Sequence, residues 1–464
     1  MRVILASILL LFSGLASAQD STSTLSLAEY LGYVKSFHPI VKQANLVINE
    51  SEAKLMKARG AFDPKLEVDY DRKKFKNTEY FDRLNATFKI PTWFGIEFKG
   101  NFEENTGDFL NPQAFVPEDG LYSAGVSVPV ARGLLTNKRM AMLRQSRLYV
   151  KQAQADRQLL VNNILYEATV TYFNWLRRYN EKRVYEDFLE NAAIRFNGIK
   201  KSYEVGDMPA IDTLEARITL NNRRLNLEKS RIKFIKASLE LSNFLWLNDN
   251  TPVELEDNVI PNIDTFLTID ETLNTSGLDI ESFDIENHPK LQSLDYKIRR
   301  LNIEKRLKTN NLLPQIDLQY NFLSETPDIA RSFSTSAYKS GVNINFPLFL
   351  RKERGDLRLA ELKLQDTRFE VQDTRVSLRN KIDAINQELD SYVTQSDFTE
   401  VIVNDYATML YAEERKFFLG ESSLFLVNSR ESKLIDAKLK AIEIENDFLT
   451  TKANLFNVLA IESE

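Results

Sequence analysis

Histidine is the side chain whose ordinary pKa suits it to acid–base work or metal binding near neutral pH. This 464-residue chain has two, His38 and His288, and no cysteine. A thiol nucleophile, a disulfide and a thiolate metal site therefore have no residue to build them. Two histidines 250 residues apart could still meet on a metal or share a proton transfer. Their neighbours give them another job. His38-Pro39 is followed, 25 positions beyond its proline, by Pro64, and His288-Pro289, again 25 positions on, by Pro314. Tyr70 and Tyr320 each lie six residues further. Punctuation that repeats without slipping marks a duplicated unit, and the histidines are its helix-entry signal. No phosphate-binding glycine loop or metal-ligand spacing occurs, and carboxylate pairs on charged helices read as solvated faces. The expectation is a chain that is not an enzyme, with no cofactor and no metal.

What must position these repeats begins with export. Arg2, the apolar run Val3 to Leu11 and the small residues Ala16-Ser17-Ala18 read as a signal peptide over 1–18. No later stretch approaches the roughly 18–20 apolar residues of a membrane helix. The missing cysteine also removes a lipid-anchoring site after the signal. Without Arg2 the balance is 66 acidic to 59 basic side chains, a net charge of −7, which argues against a nucleic-acid partner.

After Pro64 the pattern has period two, with Leu66, Val68 and Tyr70 set against Lys65, Glu67, Asp69 and Asp71. After Pro314, Ile316, Leu318, Tyr320 and Phe322 alternate with polar residues in the same way. Each copy has a further strand ending near a proline: Tyr122, Ala124, Val126 and Val128 before Pro129, and Val342, Ile344 and Phe346 before Pro347. Such faces suit a barrel wall in lipid, or a half-buried soluble sheet. The helices that follow favour the first. Lys138–Val205 and Arg351–Phe418 each run 68 residues without proline, about 100 Å if continuous, and need side-by-side partners. Each stops at a glycine, Gly206 or Gly420, and a return helix of about forty residues follows. The return helices match at an offset of 214, pairing Leu225 with Leu439 and Phe234 with Phe448. Asn250 to Asn287 reads as a linker with a short helix.

The copies differ in one place. Pro64 to Pro129 spans 65 residues and Pro314 to Pro347 only 33. The extra segment holds two more alternating runs, Leu84 to Ile90 and Phe94 to Phe102, joined at Pro91-Thr92-Trp93. An extra hairpin is expected; whether it joins the wall or folds outside it stays open.

With these features the chain resembles the TolC-like outer-membrane efflux proteins over essentially its whole mature length. The marks are Leu25-Ser26-Leu27-Ala28-Glu29 leading to His38-Pro39, then His288-Pro289, the strand-ending Pro129 and Pro347, and the Gly206 and Gly420 turns. The resemblance implies an α+β fold: a tandem strand–long-helix duplication whose homotrimer forms an outer-membrane β-barrel continued by a periplasmic α-helical barrel. Physics agrees, because a few strands in one chain leave edges that lipid does not tolerate. Relatives usually give four strands per chain; the extra hairpin would allow six. The repeats divide as 19–270 and 271–464. The implied function is a passive exit duct of a tripartite efflux or type I secretion system, in contact with outer-membrane lipid. It would work with a periplasmic adaptor (membrane fusion) protein and an inner-membrane pump. Adaptors would dock at the Gly206 and Gly420 turns, near Lys200, Lys201, Arg415, Lys416 and Arg430.

The resemblance also implies a gate of two aspartates, six and nine residues after the second glycine. Here Leu426 and Ser429 stand at those positions. The same offsets after Gly206 give Asp212 and Glu215, which share one helix face. They are candidates for an acidic constriction moved to the first copy, with Leu426 making the second level apolar. They also suit a helix N-terminus, where carboxylates offset the dipole. The competing whole-chain reading is a periplasmic coiled-coil adaptor or scaffold. It is the weaker, since adaptors generally have one helical hairpin and this chain has two.

Overall fold

The computed structural model describes residues 23–276, 283–328 and 332–461; the signal-peptide segment lies outside them. In chain order the elements are β1 (Ser23–Leu25), α1 (Leu27–Phe37), α2 (Pro39–Arg59), β2 (Lys65–Phe75), β3 (Thr78–Pro91), β4 (Glu97–Thr106), β5 (Leu121–Pro129), α3 (Lys138–Glu204), α4 (Ala210–Ser242), β6 (Val259–Pro261), α5 (Thr265–Thr272), α6 (Pro289–Asn310), β7 (Gln315–Ser324), β8 (Tyr338–Asn345), α7 (Arg351–Phe418) and α8 (Leu424–Leu459). The proline punctuation sets many of these boundaries. Pro39 and Pro289 open α2 and α6, and Pro64 and Pro314 immediately precede β2 and β7. Among the described residues no helix is long and apolar enough to cross a membrane.

The chain divides into two compact units. The sheet unit comprises Pro39–Ile164, Gly277–Asn386 and Leu455–Glu464. Its sheet has six antiparallel strands in the order β2-β3-β4-β5-β7-β8. The extra hairpin is therefore β3–β4, in the middle of the sheet. One sequence expectation fails here: Phe94 and Ile96 are not strand residues. They lie in a turn closed by the Thr92 N–H donating to the Ile96 carbonyl at 2.9 Å, with Gly95 at φ 78°. An added Cβ at Gly95 would come within 2.8 Å of the Gly133 carbonyl oxygen, so glycine is required there. The β2–β3 turn uses Lys76 and Asn77, both at positive φ, the primed geometry that suits strand twist.

The helix unit comprises Met1–His38, Leu165–Ser276 and Gln387–Asn454. Its core is built on aromatic contacts. Tyr172 lies 5.8 Å from Tyr30 and 5.6 Å from Trp175, and Trp175 stacks on Phe234. The buried polar tips are satisfied: Trp175 Nε1 donates to Ser238 Oγ at 2.9 Å, and Tyr172 Oη to the Leu25 carbonyl at 2.8 Å. That second bond fastens β1, which also pairs in parallel with β6. The predicted linker helix is α5; Phe266 packs on Phe448 and Asp270 accepts from Lys452 Nζ at 2.8 Å.

Both histidines hold helix junctions. His38 ends α1 and stacks on Phe244 at 5.6 Å. His288 caps α6, its Nδ1 accepting from the Lys290 N–H at 3.1 Å while Nε2 donates to the Val458 carbonyl at 2.9 Å. Burial pushes both imidazoles below the usual histidine range.

 

The cause in each case is desolvation of the charged ring, which the bonds to backbone only partly oppose. A folded pKa below the unfolded value of about 6.5 favours the neutral ring in the fold, so this stability is present above that pH and lost as pH falls below it. The thermal midpoint should therefore fall between about pH 7 and pH 5, with a shallower slope in His288→Gln. An identical slope in that variant would remove His288 from the account.

Candidate functional site

Two surfaces carry the chain's unusual features, and the first is the sheet. The ladder register places Leu66, Phe88, Phe98, Val126, Tyr320 and Val342 on one face. Glu67, Lys89, Lys99, Asn101, Gln319 and Asn343 are on the other. The aromatic residues expected at an interface, Tyr70, Phe88, Phe98, Tyr122, Tyr320 and Phe322, all fall on the apolar face. Much of that face is uncovered: Leu66 is 69% exposed and Ile344 65%. The polar face satisfies itself laterally. Lys89 pairs with Glu67, Arg83 with Asp71 at 3.3 Å, and Asn101 donates to Thr87 at 2.7 Å. Every residue of β2 and of β8, the two edge strands, is exposed. A sheet with a bare apolar face, a wet polar face and two open edges is a wall segment, and closure needs more strands.

The second surface is the tips of the two helical hairpins, in the helix unit. Gly206 at φ 84° and Gly420 at φ 77° each end a long helix. The Asp207 N–H donates to the Ser202 carbonyl at 2.9 Å and the Gly206 N–H to Tyr203 at 3.0 Å; Glu421 and Gly420 repeat the pair on Lys416 and Phe417. This is the Schellman arrangement, and it requires the left-handed conformation that glycine adopts freely. Apolar side chains crowd these turns: Val205 is 73% exposed and Phe418 89%. Of the cations expected nearby, Lys200 lies 4.0 Å from Glu204, and Arg430 lies 3.7 Å from Glu413.

Just behind the tips, Ile199, Ala216 and Leu424 form one small core and Phe188, Leu410, Val427, Leu434 and Ile435 another. Glu431 is buried with them at 0% exposure, between two guanidiniums. Arg223 Nη2 reaches Glu431 Oε2 at 3.0 Å, and Arg195 Nη2 reaches Oε1 at 3.0 Å. Arg195 also meets Glu414 at 2.9 Å, and its Nη1 donates to Asn428 Oδ1 at 3.4 Å. Asn428 Nδ2 in turn donates to Glu215 Oε1 at 3.0 Å. One charged network thus joins α3, α4, α7 and α8. It also places the gate candidates. Glu215 is half-buried and engaged by α8, Asp212 lies half-buried in the first turn of α4, Leu426 is 38% exposed and Ser429 is exposed. Sequence reading missed the network, although a signal existed. Glu431 falls on the 3-4 stripe Leu424, Val427, Leu434, and Arg223 on the stripe Ala216, Leu220, Ser230. Charges on an apolar stripe are buried ones.

Residues 284–460 match the family described as outer membrane efflux protein. Over that stretch, less than half of the chain, the sequence is similar to outer membrane efflux proteins. Solved outer membrane channels share the fold of this chain over nearly its full length. The Campylobacter jejuni CmeC outer membrane channel aligns with a TM-score of 0.65 and 14% identity, covering 94% of this chain and 85% of that one. The Vibrio cholerae outer membrane protein VceC gives 0.67 and 12%, covering 94% and 97%. The open-state MtrE outer membrane channel of Neisseria gonorrhoeae gives 0.63 and 13%, covering 94% and 88%. A comparison with curated protein sequences gives no match. The matched family is described as outer membrane efflux protein, and the shared fold is that of outer membrane channels.

Proposed function

We propose that this chain forms an exit duct of the outer membrane reaching into the periplasm, and that it works as a homotrimer fed by an inner-membrane pump through a periplasmic adaptor. The observation that carries the trimer is the sheet with two bare edges. β2 and β8 run antiparallel within the wall order, and both continue its two-faced pattern, Leu66 and Val68 on one, Ile344 and Val342 on the other. Edge-to-edge pairing between copies closes the apolar face outward without a break.

A second surface supports the same partner. Ile211, Ile218, Leu225, Ile232 and Leu239 recur every seven residues along α4, and each is at least half exposed. A strict heptad stripe is a coiled-coil seam, and within the chain this one is uncovered. The occupant is a second copy, whose α7 offers exposed Phe398, Val401, Ile402 and Met409.

The adaptor's place is the pair of hairpin tips at Gly206 and Gly420, where exposed apolar side chains flank rigid turns. Asp212 and Glu215 are proposed as the acidic constriction. Glu215 is already committed to Asn428, which leaves Asp212 the stronger contributor. The double variant Asp212→Ala, Glu215→Ala should reduce cation preference in planar bilayers; unchanged preference and conductance would end the ring proposal. A soluble periplasmic scaffold would leave the apolar sheet face in water, which disfavours that reading.

The chain lacks cysteine, so introduced pairs report cleanly. Val68→Cys with Val342→Cys, oxidised in membranes, should link chains through β2 and β8 into a ladder ending at the trimer. Chains that stay unlinked at these and the neighbouring lipid-face positions would overturn edge pairing.

A further inference from the structure

We propose that the transmembrane wall of the trimer is an eighteen-stranded barrel, with the β3–β4 hairpin as full wall strands. This rests on the trimeric-duct reading and adds the strand count and bore. Six strands stand in one unbroken ladder, and β2 and β5 are joined to each other only through β3 and β4. The hairpin is no appendage: β3 pairs with β2 from Lys65↔Lys89 to Phe75↔Thr78, and β4 pairs with β5 from Glu97↔Ser127 to Glu103↔Leu121. Its faces obey the wall pattern, Phe88, Phe98 and Phe102 on the apolar side, Lys89, Lys99 and Asn101 on the polar side.

The turn of the hairpin is also built into the structure. Trp93 stacks on Phe62 at 5.8 Å and lies under the Arg144 guanidinium at 5.2 Å. Its carbonyl accepts from Asn137 Nδ2 at 2.9 Å, and Glu97 pairs with Arg139 at 2.7 Å. These contacts fix the lower end of β3 and β4 to the segments leading into β2 and out of β5. A hairpin folded away from the wall would lose all of them.

The consequence is a wide passage. Strands about 4.8 Å apart and tilted about 40° give eighteen a backbone diameter of roughly 36 Å, against roughly 24 Å for twelve. Barrels of 16–18 strands leave an aqueous channel where small ones fill with side chains. The wall then passes bulky hydrated solutes, and any narrowing lies outside it.

The test places a nitroxide at single cysteines, Phe98→Cys, Lys99→Cys, Asn101→Cys and Phe102→Cys, with Val68→Cys and Val342→Cys as references, in lipid vesicles. Collision with oxygen reports lipid, and collision with a nickel chelate reports water. We expect Phe98 and Phe102 to favour oxygen several-fold, like the references, and Lys99 and Asn101 to favour the chelate. If all four favour the chelate while the references favour oxygen, the hairpin is outside the wall and the strand count is wrong. If the references favour the chelate too, the duct reading fails and this proposal with it. Electron cryo-microscopy of the unaltered trimer gives the count directly: eighteen strands bear it out, and twelve overturn it.

Discussion

Replacing Glu431 with alanine is expected to lower stability by about 3–5 kcal/mol, the range for breaking a buried ion pair by removing one partner. The loss has a specific origin. Arg195 keeps Glu414, but Arg223, 8% exposed, keeps only the Ser432 hydroxyl at 3.2 Å among the described residues. Its charge is left buried without a counter-charge. Glu431→Gln retains hydrogen-bonding capacity and should lose less. Replacing the group together, with Glu431→Leu and Arg223→Met, should recover most of the loss, because an apolar filling needs no counter-charge. Chemical unfolding followed by helical circular dichroism measures all three. Equal stability of Glu431→Ala and the unaltered chain would mean that the network does not join the four helices.

The second large effect is on assembly. Ile218→Lys with Leu225→Lys should convert the proposed trimer to single chains while leaving helix content intact. Both side chains are 53% exposed, so the fold of one chain asks little of them. In a seam between copies each apolar side chain contributes about 1.5–3 kcal/mol, and a buried unpaired ammonium costs several more. Three symmetric seams multiply the effect. Light scattering in detergent reads the mass, and the exchanged pair Ile218→Leu with Leu225→Ile should stay trimeric. A double-lysine variant that remains a trimer would move the contact elsewhere.

What the sequence disclosed and what it hid divide along a physical line. Helix and strand boundaries were legible because local residues set them. Arg351–Phe418 is α7 as read, and α3 stops one residue before the expected Val205, where the glycine turn begins. The alternation from Leu66 to Tyr70 named the apolar face because the strand period is a local property. Phe94 and Ile96 were misread as strand because their even spacing continues the alternation of Phe98 and Phe102 backward through a turn that Gly95 and the Thr92–Ile96 hydrogen bond make. The place of the hairpin in the wall was out of reach, since a period-two pattern does not name a strand's neighbours, and β5 pairs on one side with β4 and on the other with the distant β7. The Glu431 network was hidden for the same reason: Arg195 and Arg223 lie 236 and 208 residues away along the chain.

The central claim is that this chain forms a transport duct in the outer membrane, and purification with single-channel recording tests it most directly. Extracted from outer membranes in mild detergent, the protein should have the mass of three chains of 53.5 kDa less their signal peptides and should conduct ions across a planar bilayer. A water-soluble single chain or dimer that does not conduct would contradict it.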